Sequence, residues 1–399
     1  MATTTFSRLV RFGLHIYGIR PYKTTTVVFR VYWVIALSIA QTFQYRYCVL
    51  NIHTDDFSSY MDGLSSAMAY SLLCIKLIIL WTHQRKFFDL MQMISLDWKE
   101  NDTTNCTSRI MTRSKKLARI ASRCIIGVQA VSVCLYSTSI VVSGYTPEKL
   151  EPYNRELILK MVLPFNISTE LIYETVQLVQ FYNIFFVAFG ITSINSILVT
   201  LILHVCGQID ILRYRLTNIF SKNSADSVDD ITMQKLIIKH QQIITFAENI
   251  ETLYTYIALI MLLSDTIIIC CLGYIIVTSL NTPNVIAILI KCMLFYFAVN
   301  FEAFIYCFVG EYLSAKSKMI GDAAYDSHWY NFPAKESRMI LLLIMRSQKR
   351  LTITSGKIVD LSLEQFTSVR TILCCVINNL YMCNLHIIII KLLFNFYFF

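Results

Sequence analysis

The chain has 399 residues, 55% of them hydrophobic and 15% charged, with only 11 glycines and 6 prolines. That apolar share is well above the level of a soluble domain, and apolar runs recur from end to end, so the composition points to one membrane domain. The formal charge of +9 does not mark a nucleic-acid binder, because the lysines and arginines stand between apolar runs and form no basic stripe with interleaved aromatics.

The opening segment, MATTTFSRLVRFGLHIYGIRPYK, is basic and amphipathic and has no compact apolar run with a small-residue cleavage site. No cleaved signal peptide is expected, and the first span directs insertion. A spanning helix needs about 20 mostly apolar residues. Seven such spans are predicted at 28–48, 61–81, 124–144, 178–203, 255–277, 285–308 and 362–383, the last carrying Arg370, Asn378 and Asn379. Thirteen cysteines include no CxxC pair, and most lie in or beside these runs, where cysteine is a small hydrophobe.

Lysine and arginine orient the spans. Arg8, Arg11, Arg20, Lys23 and Arg30 precede the first span, whereas the first connection, NIHTDDFSSY, has two aspartates and no basic residue, so the N-terminus is expected to be cytoplasmic. The second connection is strongly basic from Arg85 to Arg123, and the third tilts acidic with Glu148, Glu151, Glu156, Glu170 and Glu174. Seven spans then leave the C-terminus outside. A G-protein-coupled receptor would present its N-terminus to the outside, so the charge pattern argues against that class. Asn166, in the sequon Asn166-Ile167-Ser168, falls in an outside connection and is the glycosylation candidate; Asn101 and Asn105 fall inside and should stay bare.

Helical periodicity continues beyond the lipid. In LHVCGQIDILRYRL, Val205, Ile209, Leu212 and Leu216 form a stripe that extends the fourth span into the cytoplasm. Similar apolar patterns precede the fifth span and follow Glu336, so the regions 204–254 and 309–361 are predicted to be cytoplasmic helices that bury their stripes against each other or another subunit. Within the second region, between the helix running out of the sixth span and a short helix at 336–347, GDAAYDSHWYNFP, residues 321–333, reads as a turn closed by Pro333, with Trp329 and Tyr330 as packing wedges. His328 has no second histidine or cysteine at ligand spacing, so no metal or other cofactor is expected.

No G-x-S-x-G, H-E-x-x-H, P-loop or G-x-G-x-x-G occurs, and the chain is not expected to be an enzyme. Charges inside spans need a separate account. Snorkelling to an interface accounts for Lys76 and Lys291, Glu302 lies deeper and reads as a functional position with pairing to a neighbouring helix as the alternative, and Arg370 would alter ion passage if its helix lined a pore. A pocket for a small apolar molecule would draw on aromatics, thioethers and hydroxyls in the second, third, fourth and sixth spans: Met68, Tyr70, Tyr136, Ser139, Tyr182, Phe185, Phe186, Phe189, Tyr296 and Phe297. Ordinary helix packing is the alternative for each.

The segments FEAFIYCFVGEYLSAKSKMIGDAAYDSHWY (301–330) and LLLIMRSQKRLTITSGKIVDLSLEQFTSV (341–369) resemble the C-terminal signature of the insect odorant receptor family. The match follows the order Tyr306-Cys307, Gly310-Glu311, Ser317, Ala324-Tyr325, Trp329-Tyr330, Arg346-Ser347-Gln348, Thr354, Gly356-Lys357 and Ser362-Leu363-Phe366. The resemblance implies an all-α, polytopic, seven-helix plasma-membrane protein of olfactory neuron dendrites, whose cytoplasmic helices form an anchor domain. It implies an odorant-gated, non-selective cation channel in which a tuning subunit binds a small hydrophobic odorant and assembles with a shared co-receptor subunit, as a heterotetramer in membrane lipid, with no nucleic acid involved. Carried over by position, Ser362, Leu363, Phe366 and Val369 would begin the pore helix, while Tyr325, Trp329, Tyr330, Arg346 and Gln348 belong to the anchor. After Val369 the chain departs from the family pattern. A gustatory-type receptor of the same fold is the nearest alternative, but its T-Y-h-h-x-h-Q-F ending is absent.

Overall fold

The structure is a computed structural model that describes residues 5–19, 24–52, 57–101, 105–144, 157–165, 169–222, 230–279, 285–327 and 329–380. Its helices in chain order are α1 (Arg8–Ile16), α2 (Thr24–Asn51), α3 (Phe57–Thr82), α4 (Gln84–Asn101), α5 (Asn105–Gly144), α6 (Glu170–Lys222), α7 (Asp230–Ser279), α8 (Val285–Tyr325), α9 (Ala334–Ser347) and α10 (Leu363–Leu380). A two-residue hairpin, β1 (Thr354–Ser355) and β2 (Val359–Asp360), is a small exception to the all-α architecture.

Six described helices, α2, α3, α5, α6, α7 and α8, are long and apolar enough to cross a bilayer. The seventh expected span corresponds to α10, which is more polar because Glu364, Gln365 and Arg370 stand within it; residues 381–383 lie outside the described residues. The expected boundaries underestimate the helices. At about 1.5 Å per residue, the 53 residues of α6 and 50 of α7 reach roughly 75–80 Å, far beyond the hydrocarbon core of about 30 Å. The excess lies where the stripe was read from sequence, and Val205, Ile209, Leu212 and Leu216 are all buried.

α5 lies along α6, α3 along α7, and α8 touches α5, α6 and α7, so α6 to α8 form the middle of the bundle. α1 enters that bundle from the side. The Ser7 hydroxyl caps it by accepting from the Val10 N–H, and Val10, Gly13 and Leu14 form its buried face. Gly13 has to be small, since a Cβ there would lie 2.5 Å from Ser193 Oγ.

The extensions are held by ion pairs as well as apolar stripes. Lys239 on α7 reaches Asp97 (2.6 Å) and Glu100 (3.1 Å) on α4, while His204 Nε2 on α6 lies 2.9 Å from Asp97. Lys316 on α8 reaches Asp210 on α6 at 2.8 Å.

The stretch 321–333 is only partly the expected turn. It stays helical through Tyr325, and the reversal is confined to the residues before Pro333, after which α9 starts. Ala323 and Ala324 suit the helix and Ala324 is fully buried, so packing carries α8 onward. The Ser337 hydroxyl then fixes the turn by donating to the carbonyls of Trp329 (2.8 Å) and Phe332 (3.0 Å). Trp329 is half-buried against the core, but Tyr330 is 65% exposed, so the two rings are not a pair of wedges. His328 lies outside the described residues.

The hairpin returns the chain to the bundle. Gly356 and Lys357 both take positive φ, near 61° and 62°, and their N–H groups donate to the carbonyl and hydroxyl of Thr255 on α7. This docking sets the point from which α10 departs.

Candidate functional site

Five helices line a half-open cavity of about 120 Å³: Ser66, Ala69 and Tyr70 from α3, Ser132 and Tyr136 from α5, Ile184 and Ala188 from α6, Asp265 and Ile268 from α7, and Phe295, Val299 and Glu302 from α8. Leu159, from the connection before α6, closes one side; its N–H donates to Gln180 Oε1 at 3.1 Å. The volume is close to that of the apolar cavity of roughly 150 Å³ that holds a benzene ring. The four expected spans all contribute to the wall. α7 contributes as well, which the sequence reading did not anticipate.

The expected pocket residues fall in several places. Tyr70 and Tyr136 line the cavity. Met68 and Tyr296 pack against the apolar cluster formed by α3, α7 and α8. Phe186 and Phe189 serve the docking of α1: the Tyr17 hydroxyl donates to the Phe186 carbonyl at 2.5 Å, and the Phe189 ring lies 6.2 Å from those of Phe12 and Tyr17. Phe185 meets Phe186 edge to face at 6.1 Å. Tyr182 and Phe297 are exposed on the bundle's outer surface, and the side chain of Ser139 lies outside the described residues, as does Asn166.

A charged cluster forms one end of the cavity. Lys76 on α3, 1% exposed, pairs with Glu302 on α8, 9% exposed; its ammonium also donates to Asn195 Oδ1 at 3.4 Å and lies 5.4 Å from the centre of the Tyr306 ring. A separate pair lies 11 residues, roughly 16 Å, from Glu302 along α8, where Lys291 reaches Asp62 on α3 at 2.5 Å and sits 5.9 Å from the Tyr136 ring. Neither lysine snorkels. Acidic side chains of neighbouring helices stand within reach at the same level, and pairing there satisfies the charge more fully than a stretch along lipid. Glu302 has an interhelical partner in Lys76, as the alternative reading of that residue supposes, and it also lines the cavity. Asp62 and Asp265 escaped the sequence reading, although an acid in the run ALIMLLSDTIIICC was a visible signal.

Below the cavity, α10 packs on α8. The Leu363 N–H donates to Glu311 Oε2 at 2.7 Å, the Gln365 N–H donates to the Ser362 hydroxyl at 3.2 Å, and the Phe366 ring meets Phe304 at 6.0 Å. Leu363 and Phe366 join the main core and Val369 the α3–α7–α8 cluster, so these three face the chain's own bundle. The opposite face of α10 exposes Glu364, Gln365, Thr367, Ser368 and Thr371. Arg370 lies with its guanidinium 5.1 Å from the Phe366 ring.

Among the anchor candidates, Tyr325 and Tyr330 are 66% and 65% exposed, Arg346 lies in the last turn of α9 and Gln348 is its C-cap. With Leu342 and Met345 they leave an exposed apolar surface at this end of the molecule.

Comparison with known proteins follows from this geometry. Residues 56–372 match the family described as 7tm Odorant receptor. Odorant receptor 13a of Drosophila melanogaster is 24% identical over 375 residues, covering 88% of this chain and 87% of that one. The odorant receptor coreceptor of Aedes aegypti is 27% identical over 131 residues, 33% of this chain and 27% of that one. Among solved structures, the olfactory receptor OR5 of Machilis hrabei in complex with eugenol superposes with a TM-score of 0.77 at 13% identity, covering 94% of this chain and 96% of that one.

Proposed function

The chain belongs to the insect odorant receptor family, a family of receptors and not enzymes, and from that premise we propose that it is the odour-binding, tuning subunit of a ligand-gated cation channel completed by a shared co-receptor. The carrying observation is the cavity between the helices, which has the size and mainly apolar lining of a site for a small volatile and shares wall residues with the packing around α10. Val299 lines the cavity and belongs to the apolar cluster on which Val369 rests.

The polar outer face of α10 supports the channel part of the reading. Gln365, Ser368 and Thr371 follow helical spacing and point away from the subunit, the arrangement a helix needs to line a water-filled path shared by several subunits. On this reading Leu363, Phe366 and Val369 seat the pore helix, and its other face lines the pore. The exposed apolar end around Tyr325, Leu342 and Met345 suits subunit contact in an anchor region. Odorant receptor 13a is matched over most of its length and the co-receptor over about a quarter, which favours the tuning role over the co-receptor role. The basic excess before the first span supports a cytoplasmic N-terminus in the plasma membrane.

The test is whole-cell current in cells expressing this chain with and without an insect co-receptor, challenged with a panel of volatiles while G-protein signalling is blocked. A fast cation current that requires both subunits and survives the block is the expected result. A response abolished by the block would transfer the chain to the class of G-protein-coupled receptors.

A further inference from the structure

The cavity contains two buried polar atoms that the fold leaves unsatisfied. Asp265, 3% exposed, has Oδ2 buried with no hydrogen bond among the described residues, and the buried hydroxyl of Tyr70 is in the same position. Both side chains line the cavity, whereas the hydroxyls of Ser66 and Ser132 are already committed to the carbonyls of Gly63 and Val128. An unmet buried polar group is costly, and in a ligand site the missing partner is supplied by the guest.

The charges around Asp265 decide what kind of guest. Glu302 is paired with Lys76, and the Glu302 carboxylate acts against a second negative charge at Asp265 while Lys76 and Arg370 act in the opposite sense. What Asp265 Oδ2 lacks is a hydrogen-bond partner. A protonated amine would bring a further cation beside Lys76 and would have to give up the hydration of its own charge. An aldehyde or ketone accepts but cannot donate to a carboxylate, and a hydrocarbon leaves both Asp265 and Tyr70 unmet. A hydroxyl both donates and accepts, so it satisfies Asp265 as carboxylate or as acid, and can pair with the phenol of Tyr70.

We infer that this cavity selects a small volatile alcohol or phenol, with Asp265 and Tyr70 as the residues that read its hydroxyl. The inference rests on the odour-binding reading of the cavity, and its test is a binding measurement, so that a failure of channel function leaves it decidable.

The full chain, purified in lipid nanodiscs, is titrated with two sets of ligands matched in heavy-atom count: benzyl alcohol, benzaldehyde, ethylbenzene and benzylamine, then 1-hexanol, hexanal, heptane and hexylamine. In at least one set the alcohol is expected to bind roughly 10- to 100-fold more tightly than the other three, the range set by leaving a buried polar group unpaired. Asp265→Leu should collapse that preference to less than about threefold while leaving hydrocarbon binding intact, and Asp265→Asn, which still donates and accepts, should retain most of it. Tyr70→Phe should give an intermediate loss. Retained hydrocarbon binding shows that the Asp265→Leu cavity is folded; if that variant does not fold, Tyr70→Phe and Asp265→Asn with the wild-type series decide the matter. Equal affinities across each set, tighter binding of an amine or aldehyde, or no binding by any ligand overturns the inference. Alcohol-selective binding without odour-evoked current would uphold the inference and count against the channel reading alone.

Discussion

Lys76→Met is the substitution that tests the charged end of the cavity most directly. Methionine keeps an unbranched stem of similar reach but removes the ammonium, leaving the buried Glu302 without its cation and closer in effect to Asp265, a second acid. Removing one member of a buried ion pair costs about 3–5 kcal/mol, because the remaining charge stays desolvated. Glu302→Gln costs less, about 2–3 kcal/mol, since the ammonium keeps Asn195 Oδ1 at 3.4 Å and the Tyr306 ring at 5.4 Å. Lys76→Met combined with Glu302→Gln removes both charges and should fall within about 1–2 kcal/mol of the parent. With about 2.1 cal/mol/K of unfolding entropy per residue, 399 residues translate the single Lys76 loss into roughly 4–6 °C. Thermal melting of the purified protein, followed by tryptophan fluorescence, measures all three. A double variant as unstable as Lys76→Met alone would refute the pairing argument.

Three further outcomes follow from other parts of the molecule. Burial pushes Asp97 up, but the hydrogen bonds and charges of His204 and Lys239 outweigh it and hold its carboxyl below the ordinary range. Its contribution is therefore fully present above about pH 4 and lost as pH falls through the lowered folded value, a dependence that Asp97→Asn should flatten in melting curves taken against pH. Gly310 faces Leu361, two residues before α10: a Cβ would lie 2.5 Å from the Leu361 carbonyl oxygen, so Gly310→Val should cost about 1–3 kcal/mol and reduce current more than ligand binding. Ser368→Cys should be modified by a charged thiol reagent faster in the open than in the closed channel, with block of current, while Phe366→Cys should stay protected; equal modification of both would contradict the assignment of the α10 faces.

Much of the architecture is legible in the sequence because hydropathy and charge act on long segments. Each apolar run reports itself, and the stripe from Val205 to Leu216 repeats often enough to betray a buried face outside the lipid. The cavity is much less legible. An aromatic residue on an apolar helix announces burial but not direction, so Phe186 and Phe189 look like pocket residues until α1 is seen to occupy the space beside them. Charge pairs suffer from distance in sequence: Lys76 and Glu302 stand 226 residues apart, and nothing local to either names the other. Asp265 is legible as an anomaly, and only the assembled helices turn that anomaly into one wall of a cavity.

On the proposed channel reading, α8 is the element that joins the cavity to α10. Val299 and Glu302 face the cavity, Phe304 and Glu311 hold α10, and Gly310 lets the chain before α10 come close enough to be held. From Glu302 to Glu311 is nine residues, roughly 13 Å of one uninterrupted helix without proline. A helix of that length transmits a tilt or a shift with little loss, whereas a loop would absorb it. Among the described residues these lower contacts include the Leu363 N–H bond to Glu311 and the Phe304–Phe366 ring pair, so a ligand that repositions α8 acts on α10 through side chains of α8 itself. Tight binding alone would not suffice. On the channel reading, a guest that opens the pore must hold α8 differently in the two states, and the polar end of the cavity, where Glu302 and Asp265 come from different helices, is where a single hydroxyl can distinguish one separation of α7 and α8 from another.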